Sequence, residues 1–382
     1  LWRSVLIPRR MRLLVFNPEN DLALASGAPR YTPTAMVQSL REASALLPAW
    51  WAGEDDIILA PPSQQDNAQR MRDLGLNCRI ALAEDFARVT DCEPWGWSEP
   101  LKNELLRLGV PQSALSTDAR LYRTLSHRRW GEVELRRELG LEPAMEVRDS
   151  RQLMDIVGST PDEWVMKSPY SCSGRGVMML QGKSPAFIRQ QADGIIRRQG
   201  SLILERLLER RADFAALFDY VPGVGATFVG WSMFLSQNSR YMGNIVCPQS
   251  EMERMLSLLV SLDEARGWVI KLERLLTDRL SGLDRHQCIG VDMMALRSGE
   301  VYPCVEVNMR RTMGHVALSV ADRLKCLQSF PKAMDGQTHY IVKTTLDSPY
   351  ADSAYPFLDA VSASLVERMV FGDVSADFVA RD

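Results

Sequence analysis

The chain has 382 residues, 46% of them hydrophobic and 24% charged, with a formal net charge of −3, an ordinary balance for a protein of two or three domains. Its arginines fall in scattered pairs rather than a stripe, which disfavours nucleic acid as a partner. No apolar run approaches the ~18–20 residues of a membrane span. Seven widely spaced cysteines with no Cys-x-x-Cys pair, and only four histidines, point to reduced thiols in a cytoplasmic setting and against a zinc site.

The first ten residues are too short for a secretory signal and carry no cleavage site, and Met11 could be the initiator. Leu13 to Phe16 read as a buried strand, followed by the polar loop Asn17-Pro-Glu-Asn-Asp21 and a helical stretch. Asp56 to Ala60 form a second strand, residues 64–75 a helix, and Arg79 to Leu82 a short third strand. This pattern predicts a small parallel sheet with crossover helices, whose ligand loops lie at the carboxyl ends of the strands. Glu19, Asn20 or Asp21 could therefore recognise the polar end of a substrate, although capping the following helix is the commoner role for such residues. The aromatic pairs Trp50-Trp51 and Trp95-Gly-Trp97 fit packing better than a pocket.

Trp164 to Lys167 predict an apolar strand that ends on a lysine, in a chain with seven lysines among 45 basic residues. A loop of small residues follows, from Ser168 to Gly176, and then a strand from Val177. Gly174 and Gly176 let the backbone approach a ligand closely, and loop N–H groups with the hydroxyls of Ser171 and Ser173 can hold phosphate oxygens. Cys172 within this loop has no histidine near it and makes a poor candidate nucleophile. The loop leads into a strand rather than a helix, so it is not a P-loop.

Leu202 to Leu204 predict a short buried strand ended by Glu205, and Asp213 begins the next, from Phe214 to Tyr220. Residues 251–281 have helical spacing and no evident chemistry. Asp292 ends an apolar run, Ser298-Gly299-Glu300 makes a turn, and Glu306 and Asn308 lie on a second run. That is a β-hairpin in which Glu306 and Asn308, two apart, share a face that Asp292 can reach. Three oxygen ligands completed by water and phosphate suit Mg²⁺.

In this order, the lysine strand, the Gly-rich loop, the Glu-ended strand and the Asp…Glu-x-Asn-x-Arg set resemble the ATP-grasp superfamily over roughly residues 120 to 318. The resemblance implies an α/β (α+β) ATP-grasp fold preceded by a small parallel α/β domain. The expected boundaries are 1–115 for that domain, 116–205 for the subdomain carrying the Gly-rich loop, and 206–382 for the subdomain carrying the metal site and a tail. It implies ATP with Mg²⁺ (or Mn²⁺), and a ligase that joins a carboxylate to an amine through an acyl-phosphate. A small-molecule kinase or a nucleotide-binding module without turnover are the alternatives.

The resemblance assigns Lys167 to nucleotide phosphate and Ser171, Ser173, Gly174, Arg175 and Gly176 to the loop that closes over it. Glu205 falls at the adenine amino group, Leu207 and Leu208 beside the ring, and Asp213 at the ribose. Asp292, Glu306 and Asn308 fall at the metal and Arg310 beside the reacting group. Where the superfamily has a second phosphate lysine, this chain offers Arg128 or Arg129. His315, just beyond the metal strand, could meet a substrate, although a structural role suits it better. The partners implied are small-molecule or peptide carboxylates and amines, with no nucleic acid or membrane. The oligomeric state stays open, a homodimer being allowed.

Overall fold

The computed structural model describes residues 11–73, 75–171, 176–237, 240–326 and 340–342. Strand β1 (Arg12–Val15) is the centre of a three-stranded parallel sheet, flanked by β2 (Ile57–Ile58) and β3 (Asp91–Pro94). Alternation along β1 sends Leu13 and Val15 into one core and Leu14 into another. Helices α1 (Asn20–Ser26) and α2 (Ala35–Ala43) follow β1, α3 (Gln65–Asp73) follows β2, and α4 (Glu99–Arg107) follows β3. Trp50, Trp95 and Trp97 are buried in these cores, as packing predicts.

The third strand differs from the expectation. Residues 79–82 contribute only a single bridge, Ile80 to Ile58, and the strand proper is Asp91-Cys-Glu-Pro94. Two acidic residues and a proline hide it from a reading by hydropathy. It can be buried because Glu93 is met on both sides, by Arg12 at 2.5 Å and by Arg311 at 2.5 Å. A charge inside a fold is tolerated when it is paired.

Helix α5 (Ala119–Ser126) and a π-helical stretch, Arg129–Leu135, run into the short α6 (Arg136–Glu138). An antiparallel sheet follows, built from β4 (Met145–Val147), β5 (Trp164–Lys167), β6 (Val177–Met179) and β7 (Leu202–Arg206) in the order β4-β7-β5-β6. Helices α7 (Ser150–Val157) and α8 (Pro185–Gln199) pack on it through Leu153, Val157, Ile188 and Ala192. The lysine strand and the strand ended by glutamate are neighbours, with Lys167 opposite Ile203 and Val165 opposite Glu205.

The largest sheet has the order β12-β11-β8-β9-β10-β13, all antiparallel. Its strands are β8 (Arg210–Val221), β9 (Gly225–Gln237), β10 (Arg240–Val246), β11 (Gln287–Leu296), β12 (Val301–Asn308) and β13 (Tyr340–Val342). Helices α9 (Gln249–Ser257) and α10 (Leu262–Arg279) precede β11, and α11 (Met313–Cys326) follows β12. Phe214, Ala216 and Phe218 on β8, with Ile289, Val291 and Met293 on β11, join Val269, Leu272 and Leu276 of α10 in one core. The alternate residues, Asp213 and Asp219 on β8 and Cys288 and Asp292 on β11, therefore belong to the opposite face. The turn between β11 and β12 lies where expected, with Gly299 in the left-handed region at φ 88°.

The π-helical stretch presses on β12 through Gly131, where a Cβ would stand 2.9 Å from Cγ2 and 3.1 Å from Cβ of Val307. Val307 is β-branched and cannot rotate away cheaply. Gly131→Ala is expected to destabilise the chain by about 1–3 kcal/mol through overpacking. Thermal melting reads the result, and an unchanged midpoint would show that the helix and β12 can part at no cost.

Candidate active site

Asp292 and Glu306 stand directly opposite each other across the β11–β12 ladder, and Asn308 pairs with Gly290. The Asn308 Nδ2 donates to Asp292 Oδ2 at 3.2 Å. Burial, and then the neighbouring Glu306 carboxylate, push the Asp292 pKa up to about 8, against the pull of Arg310. Two close carboxylates and an amide oxygen, one of the carboxylates reluctant to ionise by itself, are a donor set that a hard divalent cation such as Mg²⁺ fits.

The cations converge from the other side. Arg128, buried, donates from Nη2 to Ser171 Oγ at 2.9 Å and pairs with Glu306 Oε1 at 2.8 Å. Its Nε donates to the Ser168 carbonyl at 2.9 Å and its Nη1 to Glu132 at 3.1 Å. Burial opposes the charge of this guanidinium, but Glu306 and Glu132 outweigh it and raise its pKa. Arg129 points away, to Glu134 and to Glu146, with half of its side chain exposed. Of the two arginines, Arg128 is the one brought to the loop and the carboxylates.

Lys167 is buried, 2.5 Å from Glu205 Oε1 and 3.1 Å from Glu132 Oε2, and donates to the Val305 carbonyl at 3.3 Å. Glu205 also accepts from Arg136 Nη1 at 2.6 Å. Burial would raise its pKa, but Lys167 and Arg136 prevail and hold it below the ordinary carboxylate value. Arg136 donates further to the carbonyls of Cys304 at 2.7 Å and Val305 at 2.9 Å, tying the π-helical segment to β12. Sequence reasoning missed Glu132 and Arg136. The signal was the spacing Arg128, Glu132, Arg136, four apart each time, which lines one side of a helix with alternating charge.

The loop after β5 is described at its two ends. Ser168 N–H donates to the Gly176 carbonyl at 2.8 Å, closing the base of the hairpin. A Cβ on Gly176 would fall 2.4 Å from that of Ser171, so the loop ends touch only because residue 176 has no side chain. Ser173, Gly174 and Arg175 lie outside the described residues. After β7, Leu207 and Leu208 are half-buried. The Leu207 N–H is engaged by the Glu163 carbonyl at 2.7 Å. Asp213 lies on β8 opposite Met294, with Arg210 Nη1 at 2.8 Å.

The N-terminal loop reaches this region with one of its carboxylates. Asp21 accepts from Arg310 Nε at 2.9 Å and lines a narrow cleft with Ser171, Glu306 and Asn308. Asn20 is buried against Gly96, where a Cβ would lie within 2.6 Å of its amide group. Glu19 turns instead to Arg41 at 3.0 Å, is buried, and is held above the ordinary carboxylate range chiefly by that burial. None of these three caps α1 through its side chain: Glu19 holds the N-cap position without a side-chain hydrogen bond. His315 is also placed apart. It is buried on α11, with Nδ1 2.9 Å from Thr312 Oγ1, and borders a separate cavity of ≈ 230 Å³.

Because Asp292 is raised from 3.8 to about 8 on folding, the folded chain holds a proton that the unfolded chain has lost. Ionising Asp292 therefore costs stability, present in full below pH ~4 and lost progressively as pH rises to about 8. Asp292→Asn, measured in EDTA, is expected to stabilise the chain by an amount that grows from pH ~4 to pH ~8 and then levels off. A gain independent of pH would remove the raised carboxyl from the account, and Mg²⁺ should erase the difference above pH ~8 by favouring the ionised wild type.

No family model matches the sequence, and no curated protein sequence matches it. Solved structures do. The biotin carboxylase domain of the Hydrogenobacter thermophilus 2-oxoglutarate carboxylase, crystallised with MgADP, ADP and bicarbonate, has a TM-score of 0.51 at 11% identity, over 89% of this chain and 75% of that one. N5-carboxyaminoimidazole ribonucleotide synthetase from Thermus thermophilus scores 0.50 at 13% identity, over 89% and 85% of the two chains. Phosphoribosylamine–glycine ligase from Thermotoga maritima scores 0.50 at 12% identity, over 90% and 82%. At these identities the likeness is one of fold, and the fold of this chain is the ATP-grasp fold, a mixed α/β architecture with one parallel and two antiparallel sheets.

Proposed function

We propose that the chain is an ATP- and Mg²⁺-dependent ligase that joins a carboxylate to an amine through an acyl-phosphate. The observation that carries this reading is the pairing of Asp292 with Glu306 beside Arg128, with Asp21, bonded to Arg310, lining the same cleft as Glu306. A site that only bound nucleotide would have no need to crowd two half-buried carboxylates together. The neighbours in fold include a ligase and a complex with MgADP, which supports the same kind of chemistry.

A carboxylate is a poor electrophile until its oxygen becomes a better leaving group. Asp292, Glu306 and Asn308 would hold Mg²⁺, which supplies charge withdrawal from the transferring phosphoryl group. Arg128 and Lys167 would share the phosphate charge as donors already positioned by Glu132. Arg128 now rests on Glu306, so its guanidinium exchanges a carboxylate partner for phosphate when the nucleotide enters. Arg310, steadied by Asp21, would face the carboxylate substrate, and the loop from Ser168 to Gly176 would exclude water that otherwise hydrolyses the acyl-phosphate.

The test is an ADP-release screen with amino acids, dipeptides and small carboxylates, run with and without hydroxylamine. Hydroxamate formation is expected, and a stable phosphorylated product without ligation would replace the ligase with a kinase. Glu306→Gln should lower turnover on the order of a hundredfold or more while the chain still folds, at a melting point lowered by the loss of the Arg128 partner. Wild-type turnover in that variant would remove Glu306 from the chemistry.

A further inference from the structure

Metal donors of a different kind gather farther along the same face of the large sheet. Asp219 on β8 and Cys288 on β11 are direct partners across the ladder, and His315 approaches from the first turn of α11. A carboxylate oxygen of Asp219, the Cys288 Sγ and a ring nitrogen of His315 lie within 4.8 Å of one another. Small side-chain rotations would bring all three to the ~2.0–2.3 Å of a common ion. Cys288 precedes Asp292 by four residues, or about 13 Å along a strand, so the two groups do not share an ion.

Among the described residues, the donors are engaged only by their immediate neighbours, Asp219 by the His286 ring and His315 by Thr312 and the Phe218 carbonyl. Asp219 Oδ1 is buried without a hydrogen bond, with the His286 ring beside it at 3.5 Å. Buried polar atoms are rarely left so. Burial pushes the Cys288 thiol well up, so without a cation it stays protonated. His315 is pushed down to about 3 by burial and by Arg311, which leaves its imidazole neutral, the form that binds metals. Whichever ring nitrogen of His315 ligates, the other has a partner to fix the ring: Thr312 Oγ1 at 2.9 Å from Nδ1, or the Phe218 carbonyl at 3.4 Å from Nε2. Asp219 and His315 also line the cavity of ≈ 230 Å³, so a fourth coordination position would open on space enough for water or a small ligand.

We propose that Asp219, Cys288 and His315 form a second metal site, for a thiophilic divalent cation with Zn²⁺ preferred, its open position facing this cavity. Thiolate and imidazole ligands select such a cation over Mg²⁺. The thiolate and the Asp219 carboxylate would cancel its charge, so Arg311, itself paired with Glu93 at 2.5 Å, faces a neutral centre. His286 orients the Asp219 carboxylate and acts as a positioning residue.

The experiment uses the full chain, stripped with chelator and titrated with Zn²⁺ or Co²⁺. One equivalent of Co²⁺ is expected to produce a thiolate-to-cobalt charge-transfer band, which Cys288→Ser abolishes and Cys78→Ser, remote in the N-terminal domain, preserves. Zn²⁺ should displace the cobalt and raise the melting temperature of the wild type but not of Cys288→Ser. His286→Ala should weaken the metal about 10–100-fold while keeping the band. A wild type without the band, or a band that survives Cys288→Ser, overturns the proposal. Should Cys288→Ser fail to fold, the near-isosteric Asp219→Asn decides: cobalt affinity equal to wild type overturns the site, and a loss of about tenfold or more supports it.

Discussion

Glu132 has no exposed surface, yet three cations converge on it: Arg128 at 3.1 Å, Lys167 at 3.1 Å and Arg136 at 4.0 Å. The geometry of the candidate active site depends on this one buried carboxylate. Charges removed from water are tolerated only when well paired, and removing one partner leaves the others uncompensated. Glu132 and Glu205 together hold Lys167 and Arg136, and those two reach across to the backbone of β12 at residues 304 and 305. The four-stranded sheet is thereby joined to the hairpin that carries Glu306. The charges also nearly balance, with Arg128, Lys167 and Arg136 facing Glu132, Glu205 and Glu306. A polyphosphate entering such a place is best accommodated together with a cation of its own.

The second organising constraint is the two-residue period of β8 and β11. It gives one face of the large sheet to the apolar core under α10 and collects Asp213, Asp219, Cys288 and Asp292 on the other. The N-terminal segment joins the large sheet and α11 through shared apolar cores, and ion pairs near that polar face add to the join. Consecutive residues after β12 make these pairs: Arg310 reaches Asp21 and Arg311 reaches Glu93. Burial of Arg311 against Glu93, with the Trp51 ring 4.2 Å away, is the kind of paired and stacked arrangement that makes an arginine stable out of water.

The sequence made the hairpin, the lysine strand and the strand ended by glutamate readable, because each combines a clear hydrophobic period with a polar residue at a place where the period would not put one. The shared face of Glu306 and Asn308 followed from that, since residues two apart on a strand point the same way, and Asp292 meets Glu306 from the partner strand. Strand β3 was hidden because pairing over long sequence distance, Glu93 with Arg12 and Arg311, overrides hydropathy. Glu132 and Arg136 were hidden because a carboxylate and a guanidinium four apart usually describe a solvated helix face, and only the packing of Gly131 on Val307 reveals that this face is inside. Which of Arg128 and Arg129 turns inward depends on the same packing.

The N-terminal loop shows how far strand-end reasoning carries. It placed the segment from Asn17 to Asp21 at the cleft but could not say which of its acids would face inward. The backbone of Glu19 is already in the helical region, at φ −73° and ψ −2°, so each step turns the side chain by roughly 100°. Residues two apart then point to nearly opposite sides, and only one of Glu19 and Asp21 can meet the cleft. Arg41 takes Glu19 and Arg310 takes Asp21. The acid left in the cleft is thus already neutralised by an arginine, and any amine that enters must share Asp21 with Arg310 rather than find a bare carboxylate. The Asp21–Arg310 pair thus enters the cleft as one neutral element, not as a free acid beside a free base.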